Sequence, residues 1–308
     1  MFIMSLLLLS FIVFMAALRD EQNKRKRAEY ISAAPIPAPV KAPAPRKVPI
    51  YTPPGGTVEN LFVDALKQHH LLIAGTTGSG KSVIENGLID TVLKRLPIDK
   101  TGGAEMILID SKGNELYKYR HLPHTIFYAD EQESIVSALE YAVRIMEARQ
   151  LEMRKYEDAD YYPGSDVYVF IDEFADLMTT QAKRVKPLVQ RLSQRGRSAR
   201  VHVILCTQSP ITDIIPTVIK CNFDARFGLR TRSAQDSRNI IEKSGLEELP
   251  TYGQTYYMAP KAPKEENRIE EGYKTVPYIS KEEIKKDILH WEDQLRLNGI
   301  NPDSRKRS

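Results

Sequence analysis

A glycine-rich segment at residues 75–82 constrains this chain more than any other feature. It reads Gly-Thr-Thr-Gly-Ser-Gly-Lys-Ser and matches the phosphate-loop pattern Gly-x-x-x-x-Gly-Lys-[Ser/Thr] in full. The apolar run at 70–74, just before this segment, predicts a buried strand, and the residues just after it have a helical pattern. Glycines let backbone N–H groups curl around phosphate, and a helix N-terminus adds positive potential. We therefore predict that ATP binds through Gly75, Thr76, Thr77, Gly78, Ser79, Gly80, Lys81 and Ser82.

A pair of acids follows another apolar run, residues 167–171. This is the Walker B arrangement, in which Asp172 is expected to hold Mg²⁺ together with the Ser82 hydroxyl. Glu173 is expected to orient and deprotonate the attacking water, while Lys81 contacts the β- and γ-phosphates. An acidic pair at a strand end can also serve only as the N-terminal charge of a helix. The phosphate loop upstream favours the catalytic interpretation.

Gln208 ends the next apolar run, at the same predicted sheet edge as the acidic pair. A glutamine there can sense the γ-phosphate or align water, so we include Gln208 among the candidate catalytic residues. By itself this is a weak signal, because a polar residue at a strand end needs no functional explanation.

Strand and helix patterns alternate along the middle of the chain. The strands are predicted at 70–74, 106–110, 167–172 and 201–206, and the helices at 132–153 and 182–194. This alternation predicts an α/β fold with a mostly parallel sheet covered by helices. A last helix is predicted from Ser280 to about Leu297, with Glu283 at capping-box spacing.

The N-terminal region has a different composition. Residues 2–18 are almost entirely apolar and just long enough to cross a membrane, and Arg19 and residues 24–27 form a basic cluster behind them. We predict an uncleaved single-pass anchor in the cell membrane with the remainder in the cytoplasm. The alternative, a secretory signal peptide, lacks a positive n-region and a small-residue cleavage site.

Four segments are predicted in the 308-residue chain. Residues 1–18 form the transmembrane anchor, and 19–56 form a basic and then Pro/Ala-rich linker of extended geometry. Residues 57–279 form the ATPase motor, and 280–308 a C-terminal helix with a basic tail. The two cysteines, Cys206 and Cys221, have no metal-ligand or redox spacing, which suggests a reducing compartment.

Residues 183–200 contain seven cations and no acid. The cations are Lys183, Arg184, Lys186, Arg191, Arg195, Arg197 and Arg200. Such a bias suggests an anionic partner, either DNA phosphate or the nucleotide of a neighbouring subunit. The alternative is a solvated helix face. The net charge of +4 is too small to decide.

Taken together, the motifs resemble the FtsK/SpoIIIE family of DNA translocases. The resemblance runs from about 61 to 258 and includes His70-Leu-Leu-Ile-Ala-Gly-Thr-Thr-Gly-Ser-Gly-Lys-Ser-Val83 and Phe170-Ile-Asp-Glu-Phe-Ala-Asp-Leu-Met178. It implies a RecA-like motor that assembles as a ring, commonly a hexamer, around double-stranded DNA. In such rings ATP lies between subunits, and an arginine finger from one subunit completes its neighbour's site. The matching position here is Arg197.

The leading hypothesis is thus a membrane-anchored, ATP-driven translocase of double-stranded DNA. Ser209 departs from the arginine usual after that glutamine, and no winged-helix module follows the motor. These departures favour motors of mobile elements over chromosome pumps. A protein-secretion ATPase and a virion DNA-packaging ATPase remain alternatives.

Several residues have weaker interpretations. Arg226, Arg230 and Arg232 are candidate DNA contacts, and the role of residues 110–112 is left open. A metal site at His69 and His70 is discounted, because adjacent strand residues point to opposite faces. Tyr161 and Tyr162 are predicted to lie in a surface turn without a function.

Overall fold

Strands and helices alternate through the part of the chain that the structure describes. The computed structural model describes residues 59–95, 104–155, 161–209, 214–251, 253–260 and 269–297. The helices within these ranges are α1 Glu59–Leu66, α2 Lys81–Arg95, α3 Gln132–Met153, α4 Phe174–Arg195, α5 Thr217–Lys220, α6 Ala234–Ile241 and α7 Lys281–Leu297. The strands are β1 His70–Ala74, β2 Glu105–Ile109, β3 Thr125–Ala129, β4 Val167–Ile171, β5 Val201–Thr207, β6 Ala225–Gly228, β7 Gln254–Pro260 and β8 Ile269–Thr275.

The described strands form one sheet in the order β3-β2-β4-β5-β1-β6-β7-β8. The first six are parallel neighbours, and β7 and β8 continue the sheet antiparallel. Strand β5 lies between β1 and β4, with Ala74 opposite Thr207 and Ile171 opposite Leu205. This pairing brings the carboxyl ends of the three strands together. The prediction of an α/β fold with a mostly parallel sheet is confirmed.

Two apolar layers cover the sheet, one on each face. Leu71 and Ile73 point to the layer that includes α1 and α2, whereas Leu72 and Ala74 point to the layer with α3 and α4. Because both faces of the parallel strands are covered, their sequences are almost continuously apolar. That property made β1, β2, β4 and β5 recognisable from sequence.

Some element boundaries match the predictions and others do not. Helix α3 has the predicted bounds, and Ser280 and Glu283 form the predicted capping box at α7, with Glu283 N donating to Ser280 Oγ at 3.1 Å. Helix α4 begins at Phe174, whereas we predicted a start at residue 182. The backbone is non-helical at Gln181, with φ −140° and ψ 24°, so the predicted start marks a break inside the helix. Strands β3, β6, β7 and β8 were not predicted.

Three of the seven cations of residues 183–200 form ion pairs with acids outside that segment. Arg184 forms two hydrogen bonds with Glu133 of α3, at 2.6 and 3.0 Å, and Arg191 forms an ion pair with Glu147 of α3. Arg200 pairs with Asp166 at 2.6 Å. The absence of nearby acids in the sequence therefore does not imply an external anion for these three cations. The hypothesis of an anionic partner rests on the others, Arg197 among them.

Asp166 lies just before β4 and connects two elements at the amino edge of the sheet. It accepts hydrogen bonds from Arg200 Nε at 2.9 Å and Nη2 at 2.6 Å, and its Oδ1 lies 2.7 Å from Nε2 of His202. Burial alone would raise the pKa of Asp166, but the hydrogen bonds and charges of His202 and Arg200 hold it well below its usual value. The ionised carboxylate therefore stabilises the folded state.

Asp166→Asn is expected to lower the free energy of unfolding by about 2 kcal/mol at neutral pH, because it removes the charge from this network. A carboxyl whose pKa is depressed by folding contributes stability above its unfolded pKa, about 3.9, and loses it as the pH falls. The difference between variant and wild type should therefore roughly halve between pH 7 and pH 3 in denaturant unfolding. Asp64→Asn, which breaks an exposed pair with Lys67, is the control. An equal difference at both pH values would contradict the ionic origin.

The predicted membrane anchor, residues 2–18, lies outside the described residues, as do the linker and the basic tail. Among the residues that the structure does describe, no helix is both long enough and apolar enough to cross a membrane.

Candidate nucleotide site

The phosphate loop connects β1 to α2, and its first two residues are hydrogen-bonded to the ends of the strands on either side of β1. Gly75 N donates to Thr207 O of β5 at 3.3 Å, and Thr76 N donates to Arg230 O beyond β6 at 2.9 Å. Gly78 and Gly80 have φ values of 75° and 104°, which L side chains rarely adopt. The loop thus turns into the N-terminus of α2 in the conformation in which backbone N–H groups bind phosphate.

Lys81 folds back onto this loop. Its Nζ donates to the carbonyl oxygens of Gly75 and Thr76, each at 2.9 Å. Burial lowers the pKa of Lys81, and the neighbouring Cys206, Glu173 and Asp172 oppose that shift. The ammonium is therefore a desolvated cation bound only to neutral oxygens in this loop. A phosphate group supplies the charge that those carbonyls lack, so the chemistry of the loop fits a nucleotide.

Asp172 follows β4 directly and lies in an acidic environment. Burial, together with the charges of Asp110, Glu115 and Glu173, raises the pKa of Asp172 to about 6, and Lys112 opposes the shift. Crowded carboxylates near a phosphate loop are the ligand type that Mg²⁺ prefers. The donor set of Asp172 and Ser82 therefore fits the predicted Mg²⁺, and a bound cation would relieve the repulsion.

Glu173 is almost fully buried and is the N-cap of α4. Its Oε1 accepts hydrogen bonds from Ala175 N at 3.3 Å, Thr207 Oγ1 at 3.2 Å and Gln208 N at 3.1 Å. The two sequence interpretations of this acid are thus compatible, because it caps a helix and also lies beside the phosphate loop. Three donors hold one oxygen in place and leave Oε2 for another contact.

Gln208 joins the acidic pair to the phosphate loop. Its Oε1 accepts a hydrogen bond from Thr77 Oγ1 at 2.5 Å, while its backbone N–H bonds Glu173. The loop, Asp172, Glu173 and Gln208 therefore meet at the carboxyl edge of the sheet. All the predicted site residues except Arg197 lie at this edge.

Arg197 lies at the opposite edge of the sheet. It precedes β5, whereas Gln208 follows it, and a strand of seven residues spans roughly 20 Å. Its side chain is exposed and contacts Tyr161. Arg197 therefore does not reach the phosphate loop of its own chain.

Tyr161 and Tyr162 were both predicted to lie in a surface turn. Tyr161 is exposed, as predicted, but Tyr162 is buried against Arg149, so the prediction was wrong for Tyr162.

The sequence left the role of residues 110–112 undecided, and the structure places Asp110 and Lys112 in different surroundings. Asp110 is buried and accepts hydrogen bonds from Gly113 N at 2.9 Å and Leu116 N at 2.8 Å, so it shapes its own loop. Lys112 Nζ lies 4.0 Å from Glu173 Oε2 and 3.7 Å from Asp176 Oδ2. Sequence reasoning did not place Lys112 at the acidic pair. The available signal was its position just beyond a parallel strand, at the edge where strand ends converge.

One candidate DNA contact is excluded by its burial. Arg226 is 5% exposed, and it donates to Phe223 O and Ile240 O at 2.8 Å each and to Glu242. The prediction that Arg226 contacts DNA was wrong, because its guanidinium is buried and hydrogen-bonded to acceptors within the fold. Arg230 and Arg232 are exposed and stay candidates for contacting DNA.

His69 stacks on His202, and no cluster of metal-ligating side chains exists among the described residues.

Comparison of the sequence with known proteins shows which family the chain resembles. The sequence profile of the FtsK/SpoIIIE family matches residues 41–168 and 157–212. The protein named DNA translocase FtsK of Mesorhizobium japonicum is 34% identical over 79% of this chain and 30% of its own length. Its namesake in Pseudomonas putida is 35% identical over 65% of this chain and 28% of its own length. The chain thus spans less than a third of these curated relatives.

Solved structures share the fold. The pCW3 conjugation coupling protein TcpA, solved with ATPγS, superposes with a TM-score of 0.61 at 22% identity, over 73% of this chain and 65% of that one. The cytoplasmic domain of the type VII secretion ATPase EccC of Thermomonospora curvata gives a TM-score of 0.58 at 22% identity, over 72% of this chain and 28% of that one. At this identity the likeness shows the fold alone.

Proposed function

The chain belongs to the FtsK/SpoIIIE family of P-loop ATPases, and from that membership we propose that it is an ATP-driven translocase of double-stranded DNA. The observation that carries the proposal is the convergence of the phosphate loop, Asp172, Glu173 and Gln208 at one sheet edge. These are the parts that a hydrolytic nucleotide site needs, and they lie within the region that the family profile matches.

In this proposal each residue of the site has a distinct task. The loop N–H groups and Lys81 hold the phosphates, and Ser82 and Asp172 hold Mg²⁺, which neutralises phosphate charge when bound. Glu173 accepts a proton from the attacking water. The Gln208 amide oxygen accepts from the Thr77 hydroxyl in this structure, so a γ-phosphate arriving at the loop would compete with that oxygen for the Thr77 donor. That competition would report the nucleotide state to the end of β5.

A ring explains why Arg197 lies far from its own phosphate loop. A heterologous head-to-tail interface places opposite surfaces of neighbouring subunits against each other. Arg197 at the amino edge could then reach the nucleotide of the next subunit as an arginine finger. We propose a homo-hexameric ring of RecA-like motors around DNA on this basis. The proposed anchor at residues 2–18 would hold the ring at the cell membrane with the motor in the cytoplasm. The DNA that it transfers or segregates would be that of a mobile element.

The proposal predicts that linear double-stranded DNA stimulates ATP hydrolysis by the full-length chain at least severalfold. DNA binding should organise the ring and complete its composite sites. The measurement is phosphate release with and without DNA over a range of salt concentrations, because phosphate contacts weaken as salt rises. Lys81→Ala, which removes the loop cation, is the control for contaminating ATPases.

Robust hydrolysis that is indifferent to DNA at every salt concentration would contradict the translocase proposal. It would leave the protein-secretion ATPase as the function to test. A pull-down of a small secreted partner by the same chain would then be the next measurement.

A further inference from the structure

A pocket of about 450 Å³ lies at the amino edge of the sheet, away from the phosphate loop. It is lined by Gln150, Tyr161, Gln194, Arg195, Arg197 and Ser198, among which there is no carboxylate. Arg195 is fixed there, because its Nη2 donates to Gln150 Oε1 and its backbone oxygen accepts from Gln150 Nε2, each at 2.8 Å. The lining therefore presents positive charge to whatever contacts this surface.

Tyr161 restrains the Arg197 side chain within this pocket. Both Nε and Nη2 of Arg197 donate to the Tyr161 phenolic oxygen, at 3.2 and 3.0 Å. A guanidinium has five N–H donors, so three remain for another partner. Two bonds to one oxygen restrict the movement of the guanidinium more than a single bond would.

The Tyr161 ring is itself supported by the sheet. It stacks on His69, with ring centroids 5.9 Å apart, and His69 stacks on His202 of β5 at 6.0 Å. The next residue, Tyr162, donates its backbone N–H to Ser198 O at 2.7 Å, which ties the tyrosine segment to the loop that carries Arg197. The phenolic oxygen is thus a fixed acceptor, not the end of a free side chain.

We propose that Tyr161 is a positioning residue for the arginine finger Arg197. Its hydroxyl holds the guanidinium in the orientation that meets the nucleotide of the neighbouring subunit. This inference rests on the proposed function, because it needs Arg197 to act in trans. An unrestrained exposed arginine would lose more side-chain entropy on reaching the phosphates, so the restraint should appear in turnover and not in ATP binding.

The test compares full-length variants in DNA-stimulated hydrolysis of radiolabelled ATP, with kcat and KM measured separately. Tyr161→Phe keeps the stacked ring and removes only the acceptor. It should lower kcat about tenfold with KM changed less than about twofold, since a misplaced catalytic group can reduce turnover by this much or more. Arg197→Ala should lower kcat about a thousandfold or more. Tyr278→Phe, at an exposed tyrosine elsewhere, should match the wild type.

A double-mutant cycle decides whether Tyr161 acts through Arg197. In the Arg197→Ala background, Tyr161→Phe should change the residual kcat less than about twofold, because the group it positions is gone. A tenfold loss in both backgrounds, or wild-type kcat in Tyr161→Phe alone, would overturn the positioning role. Wild-type kcat in Arg197→Ala would instead overturn the trans finger of the proposed function, so the two failures are distinguishable.

Discussion

Glu173→Gln is expected to lower the kcat of ATP hydrolysis about a thousandfold, the effect of removing a general base, while ATP still binds. Glutamine keeps an oxygen that can accept from Ala175 N, Thr207 Oγ1 and Gln208 N, so the cap of α4 and the link to β5 should persist. What disappears is the carboxylate that takes the proton from water. The measurement is single-turnover hydrolysis together with retention of fluorescent nucleotide.

Asp176→Asn is the matched control for this experiment. Asp176 lies in the first turn of the same helix and shares Lys112 with Glu173, but its side chain is 46% exposed, whereas that of Glu173 is 4% exposed and accepts from Thr207 of β5. It should retain kcat within about threefold, as expected for an exposed ion pair. If Glu173→Gln kept more than a tenth of the wild-type kcat, Glu173 would be a structural cap and the base would have to be sought elsewhere.

Asp172→Asn should have opposite effects on activity and on stability. It removes the carboxylate proposed to hold Mg²⁺, so kcat should fall by a hundredfold or more at moderate Mg²⁺ concentrations. The same change should raise the unfolding free energy of the nucleotide-free protein by about 2 kcal/mol at pH 8. The reason is that burial and the charges of Asp110, Glu115 and Glu173 disfavour the ionised form of Asp172, as its pKa of about 6 shows.

The pH dependence gives this prediction its sign. A carboxyl whose pKa is raised by folding destabilises the folded state once it ionises, so wild-type stability falls as the pH rises from about 4 to about 6. Asn mimics the neutral form. The gap in Tm between Asp172→Asn and wild type should therefore disappear as the pH falls below about 4 and reach its full size above about pH 7. Asp224→Asn, at an exposed acid, should show no such gap. A destabilised Asp172→Asn protein at pH 8 would show that the acidic crowding is absent.

The sequence predicted the elements whose signals are contiguous. The phosphate loop, the acidic pair and strands β1, β2, β4 and β5 each carry their information within a few neighbouring residues. Strand β8, Ile269–Thr275, was missed because it lacks the continuous apolar run of a doubly covered strand. Strand β7, Gln254–Pro260, has such a run in residues 256–259 and is covered on both faces, so the sequence did carry a signal for it. β6 is only four residues long, which is too short for periodicity to register.

Tertiary structure alone decided how distant residues combine. The cations of α4 appeared to lack counter-ions in the sequence, yet Glu133 and Glu147 lie on α3, which packs beside it. The burial of Arg226 could not be read locally, because its acceptors at 240 and 242 come from another element.

By itself, then, the sequence determined the family, the α/β class and the residues of the phosphate loop and acidic pair, because backbone geometry and residue type are encoded over short stretches. Only the folded chain decided that Gln208 bonds Thr77, that Glu173 is fixed by β5, and that Tyr161 holds Arg197 at the opposite edge. Those contacts join residues 35 or more positions apart, and their partners are chosen by how the helices and strands pack.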